Sequence, residues 1–135
     1  MTTITNSARS LTSQPKWLSY VLHGVSVLLG LAFLMAGGTK LMGQEMHVEN
    51  YIRWGYPNWF MYVTGTIEVL GTVLIVIPAT RFYGALLLVA TMVGAIFTHI
   101  QANEPEMLPA PIVLLLLSGF VAWMNRPNAG ERVAE

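Results

Sequence analysis

Four apolar runs, Trp17–Met42, Trp59–Ile77, Phe82–Ile100 and Leu108–Met124, dictate what this chain can become. Crossing the hydrocarbon core of a bilayer takes about 20 helical residues, and each run is close to that length or beyond it. A segment inside lipid has no water to bond its backbone, so it must satisfy its own N–H and C=O groups as a helix. Charged residues make up only 10% of the chain and apolar ones 54%, whereas a soluble domain carries about 25% charged residues. The expected fold is an all-α integral membrane protein, an antiparallel four-transmembrane-helix bundle at residues 16–125. Short connections make sequential helices neighbours. Polar tails at 1–15 and 126–135 flank the bundle, the first expected to be flexible up to the membrane surface.

The first run follows a basic segment but is too long for a signal peptide, and three more spans come after it, so it reads as an uncleaved span. As a helix it would reach about 39 Å and so must tilt or project. Its Gly-rich end, AGGTK, meets the interface. The longest connection, QEMHVENYIRWGY, is too polar to span and suits a short interfacial helix ended by Gly55 and Pro57. Tyr51, Trp54, Tyr56 and Trp59 there are spaced as a headgroup-level aromatic cluster. Four spans leave both termini on one side, with Arg9, Lys16, Arg81, Arg126 and Arg132; the other side holds Lys40 and Arg53 among four glutamates. The excess of basic residues places both termini in the cytoplasm, and the expected location is a bacterial-type inner (plasma) membrane.

Several function classes fall away. The formal net charge is zero and no basic cluster exists, so nucleic acid is not an expected partner. Cysteine is absent, which removes thiolate nucleophiles, disulfide exchange and iron–sulfur ligation by this chain. His23, His47 and His99 lack the spacing of a metal motif, and no metal site is expected. No cofactor is identified by these residues.

Within the second run, WFMYVTGTIEVLGTVLIVI, Glu68 stands alone at mid-membrane depth. An ionisable group there is costly and marks a functional site with a partner to be found. Counting inward from each outer span end places Thr91 and Ser118 in the same layer, while Thr64, Gly65, Gly71 and Thr72 flank Glu68 on its own helix. Lys40 and His99 fall near the outer ends of the first and third spans, about 10 Å or more above Glu68 by helical rise. The expected arrangement is a polar funnel with Thr39, Lys40, Thr98 and His99 at its mouth, Glu68 at its floor, and Tyr56, Trp59 and Phe60 as a roof. A direct Lys40–Glu68 bond would require the first helix to shift inward. Candidate catalytic residues are Glu68, Lys40 and His99; candidate ligand-binding residues are Thr39, Thr64, Thr91, Thr98, Ser118, Tyr56 and Trp59. The plainer reading stands beside this one: a protonated Glu68 bonded to threonine or serine as interhelical glue, Lys40 as a membrane anchor and His99 as a helix cap.

The segments FLMAGGTKLMG, WGYPNWFMYVTGTIEVLGTVLIVIP and VGAIFTHI together resemble the DoxX-like family of small four-span membrane proteins. The resemblance rests on a small-residue and lysine ending of helix one, a Gly-Tyr-Pro entry to helix two, Gly65-x-x-Glu68-x-x-Gly71, and a histidine closing helix three. It implies the same bundle and makes Lys40, Glu68 and His99 the matching positions. Relatives resemble a membrane subunit of a thiosulfate–quinone oxidoreductase, components of oxidative-stress complexes, and a eukaryotic branch that assists receptor assembly. Fold alone does not choose among such roles. Two classes of function stay open. One is binding of a small hydrophobic ligand of quinone, lipid or terpenoid type at Glu68, with acid–base chemistry (isomerisation, proton transfer or hydration) or a place in a quinone-linked oxidoreductase. The other is a non-catalytic membrane subunit or assembly factor. Expected partners are membrane lipids, a hydrophobic small molecule, and a protein partner or a second copy of the chain.

Overall fold

A computed structural model describes residues 14–127. Nearly all of the two expected tails, 1–13 and 128–135, lies outside the described residues. Helix α1 spans Lys16–Leu41, α2 Glu45–Arg53, α3 Asn58–Val76, α4 Arg81–Gln101 and α5 Pro109–Met124, with single 3₁₀ turns at Pro78–Thr80 and Pro105–Met107. Among the described residues no strand forms.

Proline and glycine punctuate the chain. Pro15 and Pro57 are extended just before α1 and α3, while Pro78 and Pro109 open the segments they begin; the ring fixes φ and removes a donor that a first helical turn does not need. Gly43 (φ 68°) and Gly55 (φ 80°) bracket α2 in left-handed backbone, a conformation that costs glycine little.

Helices α1, α3, α4 and α5, the last two with their preceding 3₁₀ turns, are long and apolar enough to cross a membrane. Their outward side chains agree with lipid as the solvent: Leu28, Met35, Leu116 and Trp123 are all at least 66% exposed. The principal packing is α1 on α3, α3 on α4 and α4 on α5, with α5 touching α1 less extensively. Between α1 and α3 the approach is close, because a side chain built on Gly37 would lie 2.8 Å from the Gly65 carbonyl oxygen. Small residues at such a contact let backbones meet without the help of water.

The dry core sits toward the termini. Leu29 and Phe33 from α1, Ile75 from α3, Ala85, Leu88 and Met92 from α4, and Val121 and Ala122 from α5 form one buried cluster. The buried carboxylates Glu68 and Glu104, with Thr98 and His99, lie nearer the opposite end, where α2 packs.

Candidate functional site

Glu68 is 2% exposed and lies midway along α3. Its partner is Lys40, in the last turn of α1, whose Nζ donates to both carboxylate oxygens at 2.8 Å. The contact is built by two glycines used reciprocally. A Cβ on Gly37 would lie 2.9 Å from the Glu68 Cβ, and one on Gly65 would lie 3.0 Å from the Lys40 Cβ. Each helix thus offers a glycine and, three residues later, a charge, and each glycine makes room for the other helix's charged side chain. A two-pronged, charge-assisted contact of this kind is strong in a medium of low dielectric constant. Removing one partner alone would strand a buried charge.

Above the pair lies a layer of hydrogen-bonded side chains that ties α2 to the bundle. Thr39 bonds the His47 Nε2 at 2.9 Å, and the Tyr51 hydroxyl meets the Thr64 hydroxyl at 2.6 Å. Tyr51 is buried among the rings of Trp54, Tyr56 and Phe60. Tyr56 meets Thr98 at 2.7 Å. Glu104 is the hub at the far end: one carboxylate oxygen takes Arg53 at 2.6 Å, and the other takes His99 at 2.9 Å and the Trp54 indole N–H at 3.2 Å. These neighbours, the His99 hydrogen bond foremost, hold the Glu104 carboxyl below its ordinary value against the opposing effect of burial. Burial, reinforced by the positive charge of Lys40, pushes His47 down. Burial also pushes the Tyr51 hydroxyl up, partly offset by Thr64, with the Glu68 charge adding to the rise.

The sequence pattern of the DoxX-like family matches residues 24–121. The chain belongs to the DoxX-like family. Two Bacillus subtilis (strain 168) proteins are similar to it. One, named "Putative oxidoreductase CatD", is 35% identical over 92 residues, which is 67% of this chain and 67% of that protein. The other, named "Uncharacterized protein YdgD", is 34% identical over 99 residues, 69% of this chain and 87% of that protein. No solved structure matches the chain.

In this DoxX-like chain the direct Lys40–Glu68 bond replaces the expected open funnel. The depth count from the span ends misjudged the register, because the outer ends of α1 and α3 are not level. A Cβ on Gly43, just past α1, would lie 3.2 Å from the Tyr62 hydroxyl, so the first turn of α3 rises beside α2, beyond the end of α1. The expected layer of Glu68 with Thr91 and Ser118 does not form either. Thr91 bonds the Leu87 carbonyl of its own helix, and the Ser118 hydroxyl, fully buried, has no hydrogen-bond partner. Glu68 faces α1 instead, where the glycines admit it. His99 turns to Glu104 and the edge of the Trp54 ring, apart from the pair. Tyr51, Tyr56 and Phe60 pack together, and Trp59, 63% exposed, meets the Phe60 ring from the outer side of the cluster.

His47, Tyr51, Arg53, Trp54 and Glu104 join this network without having been among the candidate site residues of the sequence. His47 and Tyr51 carried a signal, being one helical turn apart on a short amphipathic helix. Glu104 carried none, since its partners come from α2 and α4. A cleft of about 160 Å³ runs along the α2–α3 seam, lined by Val48, Tyr51, Asn58, Met61 and Tyr62. A shallower groove of about 310 Å³ lies on α3 at Tyr62, Val63, Thr66 and Ile67. Neither is lined by Lys40 or Glu68. At the opposite end of the bundle, Arg81 is buried and donates to the Ile75 carbonyl and to His23 Nδ1. Among the described residues no three His, Cys, Asp or Glu side chains gather as a metal site.

Proposed function

We propose that this DoxX-like membrane protein binds the polar head of a small, uncharged hydrophobic molecule at the Lys40–Glu68 pair. The observation that carries this reading is the donor count at Lys40. An ammonium group has three N–H donors, and Glu68 takes two of them at 2.8 Å. The third can serve an acceptor such as a carbonyl or hydroxyl oxygen. The Lys40 side chain keeps 13% of its surface exposed while that of Glu68 keeps 3%, so the approach is from the lysine side. The pair is neutral as a whole, and a charged guest would leave an uncompensated charge in a medium of low dielectric constant. Quinones, terpenoid carbonyls and lipid esters have the required neutral acceptor. Proton transfer between Nζ and a carboxylate oxygen would interconvert the ionic and neutral forms of the pair, supplying an acid and a base at one place. The name of one relative, "Putative oxidoreductase CatD", supports a redox setting.

The topology that accompanies this reading is an antiparallel bundle with both termini in the cytoplasm of a bacterial-type cell. Two features support it. Gly30 faces Thr72 and Val76 while Gly37 faces Gly65 and Glu68, so residue numbers run oppositely along α1 and α3. Among the described residues Lys16, Arg81 and Arg126 lie at the termini end, against Lys40, bonded to Glu68, and Arg53 at the other.

The test is purification in mild detergent followed by native and small-molecule mass spectrometry, with a short-tailed benzoquinone as added probe. The reading expects a bound neutral lipid-phase molecule, or saturable binding of the probe, that is lost in the double variant Lys40→Met/Glu68→Leu. Binding unchanged in that variant would end the reading. A stoichiometric protein partner with no bound molecule would establish a subunit role, with the pair as structural glue.

A further inference from the structure

We infer that α2 is a hinged lid over the Lys40–Glu68 pair, held shut by Glu104, and that a ligand reaches the pair when this latch releases. The inference rests on the proposed binding role of the pair. Four features of the fold carry it.

The first is the pair of hinges. Gly43 and Gly55 adopt left-handed backbone at φ 68° and 80°, one on each side of α2. Each glycine caps the helix before it, the Gly43 N–H bonding the Lys40 carbonyl and the Gly55 N–H the Ile52 carbonyl, so α2 joins its neighbours through two compact turns about which it would pivot once its side-chain contacts release. The second is what the lid covers. Its inward side chains, His47 and Tyr51, bond Thr39 and Thr64, which are respectively next to Lys40 and one turn before Glu68. Swinging α2 outward therefore uncovers both members of the pair together.

The third feature is the latch. Arg53 and Trp54, at the C-terminal end of α2, both donate to Glu104, and His99 of α4 anchors Glu104 from behind. One carboxylate thus joins the moving element to the fixed bundle. The fourth is the seam. The cleft of about 160 Å³ beneath α2 is lined by Val48 and Tyr51 of the lid and by Asn58, Met61 and Tyr62 of α3. Packing there is already incomplete, so an opening motion starts with less contact to break.

The chain contains no cysteine, which permits a direct test. A cysteine is placed beneath the lid as Thr64→Cys, and a reference cysteine in the opposite half as Ser26→Cys, at a fully buried position. Labelling by a small maleimide is timed in detergent for each reporter, with and without Glu104→Gln. Loss of the charged latch is expected to speed Thr64→Cys labelling several-fold, while Ser26→Cys labelling stays slow. Arg53→Gln, at an exposed side chain, is the second latch variant should Glu104→Gln fold poorly. Equal labelling with the latch intact and removed would show a fixed anchor and overturn the lid, as would a parallel rise at both reporters. The assay needs no ligand, so a lid that opens in a protein that neither carries a bound lipid-phase molecule nor binds benzoquinone would refute the binding site and leave the lid standing.

Discussion

Lys40 and Glu68 illustrate what a single buried ion pair asks of its surroundings. Neither charge is affordable alone at this depth, and the donor and acceptor arrangement makes them a unit. Lys40→Met alone leaves a buried carboxylate, and Glu68→Leu alone leaves a buried ammonium. Each single change is expected to cost about 3–5 kcal/mol of stability, while the double change, which removes both charges, costs far less than their sum. Thermal unfolding of the four proteins in one detergent reads this coupling. Additive losses would mean that the two residues do not act together. That Glu68 would need a polar partner was legible from its isolation in an apolar run. Its direct bond to Lys40 was not legible. It depends on two glycines in different helices facing each other, and on a stagger of helix ends that counting residues along one helix at a time cannot supply.

At the scale of elements, the spanning helices were readable and the connections only partly so. Long apolar runs bounded by Pro, Gly and polar residues leave α-helix as the only solution in lipid. Helix α2 is different, since its polarity and aromatic content marked an interfacial helix without saying what it covers. Its half-buried His47 and buried Tyr51 show what it covers only through their contacts with α1 and α3. The acid response of this element follows from its titrating groups. Glu104, faced by Arg53 and Trp54 of α2 and His99 of α4, is held below its ordinary 4.5. A depressed carboxylate contributes stability that is complete above 4.5 and is lost as pH falls through the lower folded value. His47, faced by Thr39 and Lys40 of α1, is held below its ordinary 6.5. Its contribution favours the neutral ring, is complete above 6.5, and is likewise lost on acidification. Both therefore loosen α2 in the same direction. Labelling of Thr64→Cys, corrected for the intrinsic pH dependence of the thiol with an exposed reporter, is expected to rise in two steps. The first begins below about pH 6.5 and is removed by His47→Gln; the second lies below about pH 4.5 and is removed by Glu104→Gln. Corrected rates that stay flat with pH would remove both groups from the control of α2.

The whole molecule is divided along its long axis into halves of unlike character, and the division bears on which side a ligand can come from. Toward the termini, Leu29, Phe33, Ile75, Leu88 and Val121 close the interior with almost no exposed surface. Three hydroxyl-bearing side chains are buried in that half, and two of them bond backbone carbonyls: Ser26 that of Leu22 on its own helix, and Thr72 those of Glu68 on its own helix and Gly30 on α1. The third, Ser118, has no partner with which to extend a polar path. On the proposed binding role of the pair, a ligand would come to it from the α2 end. If the termini lie in the cytoplasm, that end faces outward, together with the α4–α5 connection carrying Glu104 and Glu106. The absence of native cysteine again allows a direct measurement. Glu106→Cys and Ala79→Cys, both at exposed positions in connections at opposite ends of the bundle, report the two sides. In intact cells a membrane-impermeant maleimide is expected to label Glu106→Cys and to reach Ala79→Cys only after the membrane is permeabilised. The reverse pattern would turn the protein over and put the lid in the cytoplasm. Its guest would then enter from the inner leaflet, where the basic termini would have to be reassigned to the outer face against the usual distribution of lysine and arginine.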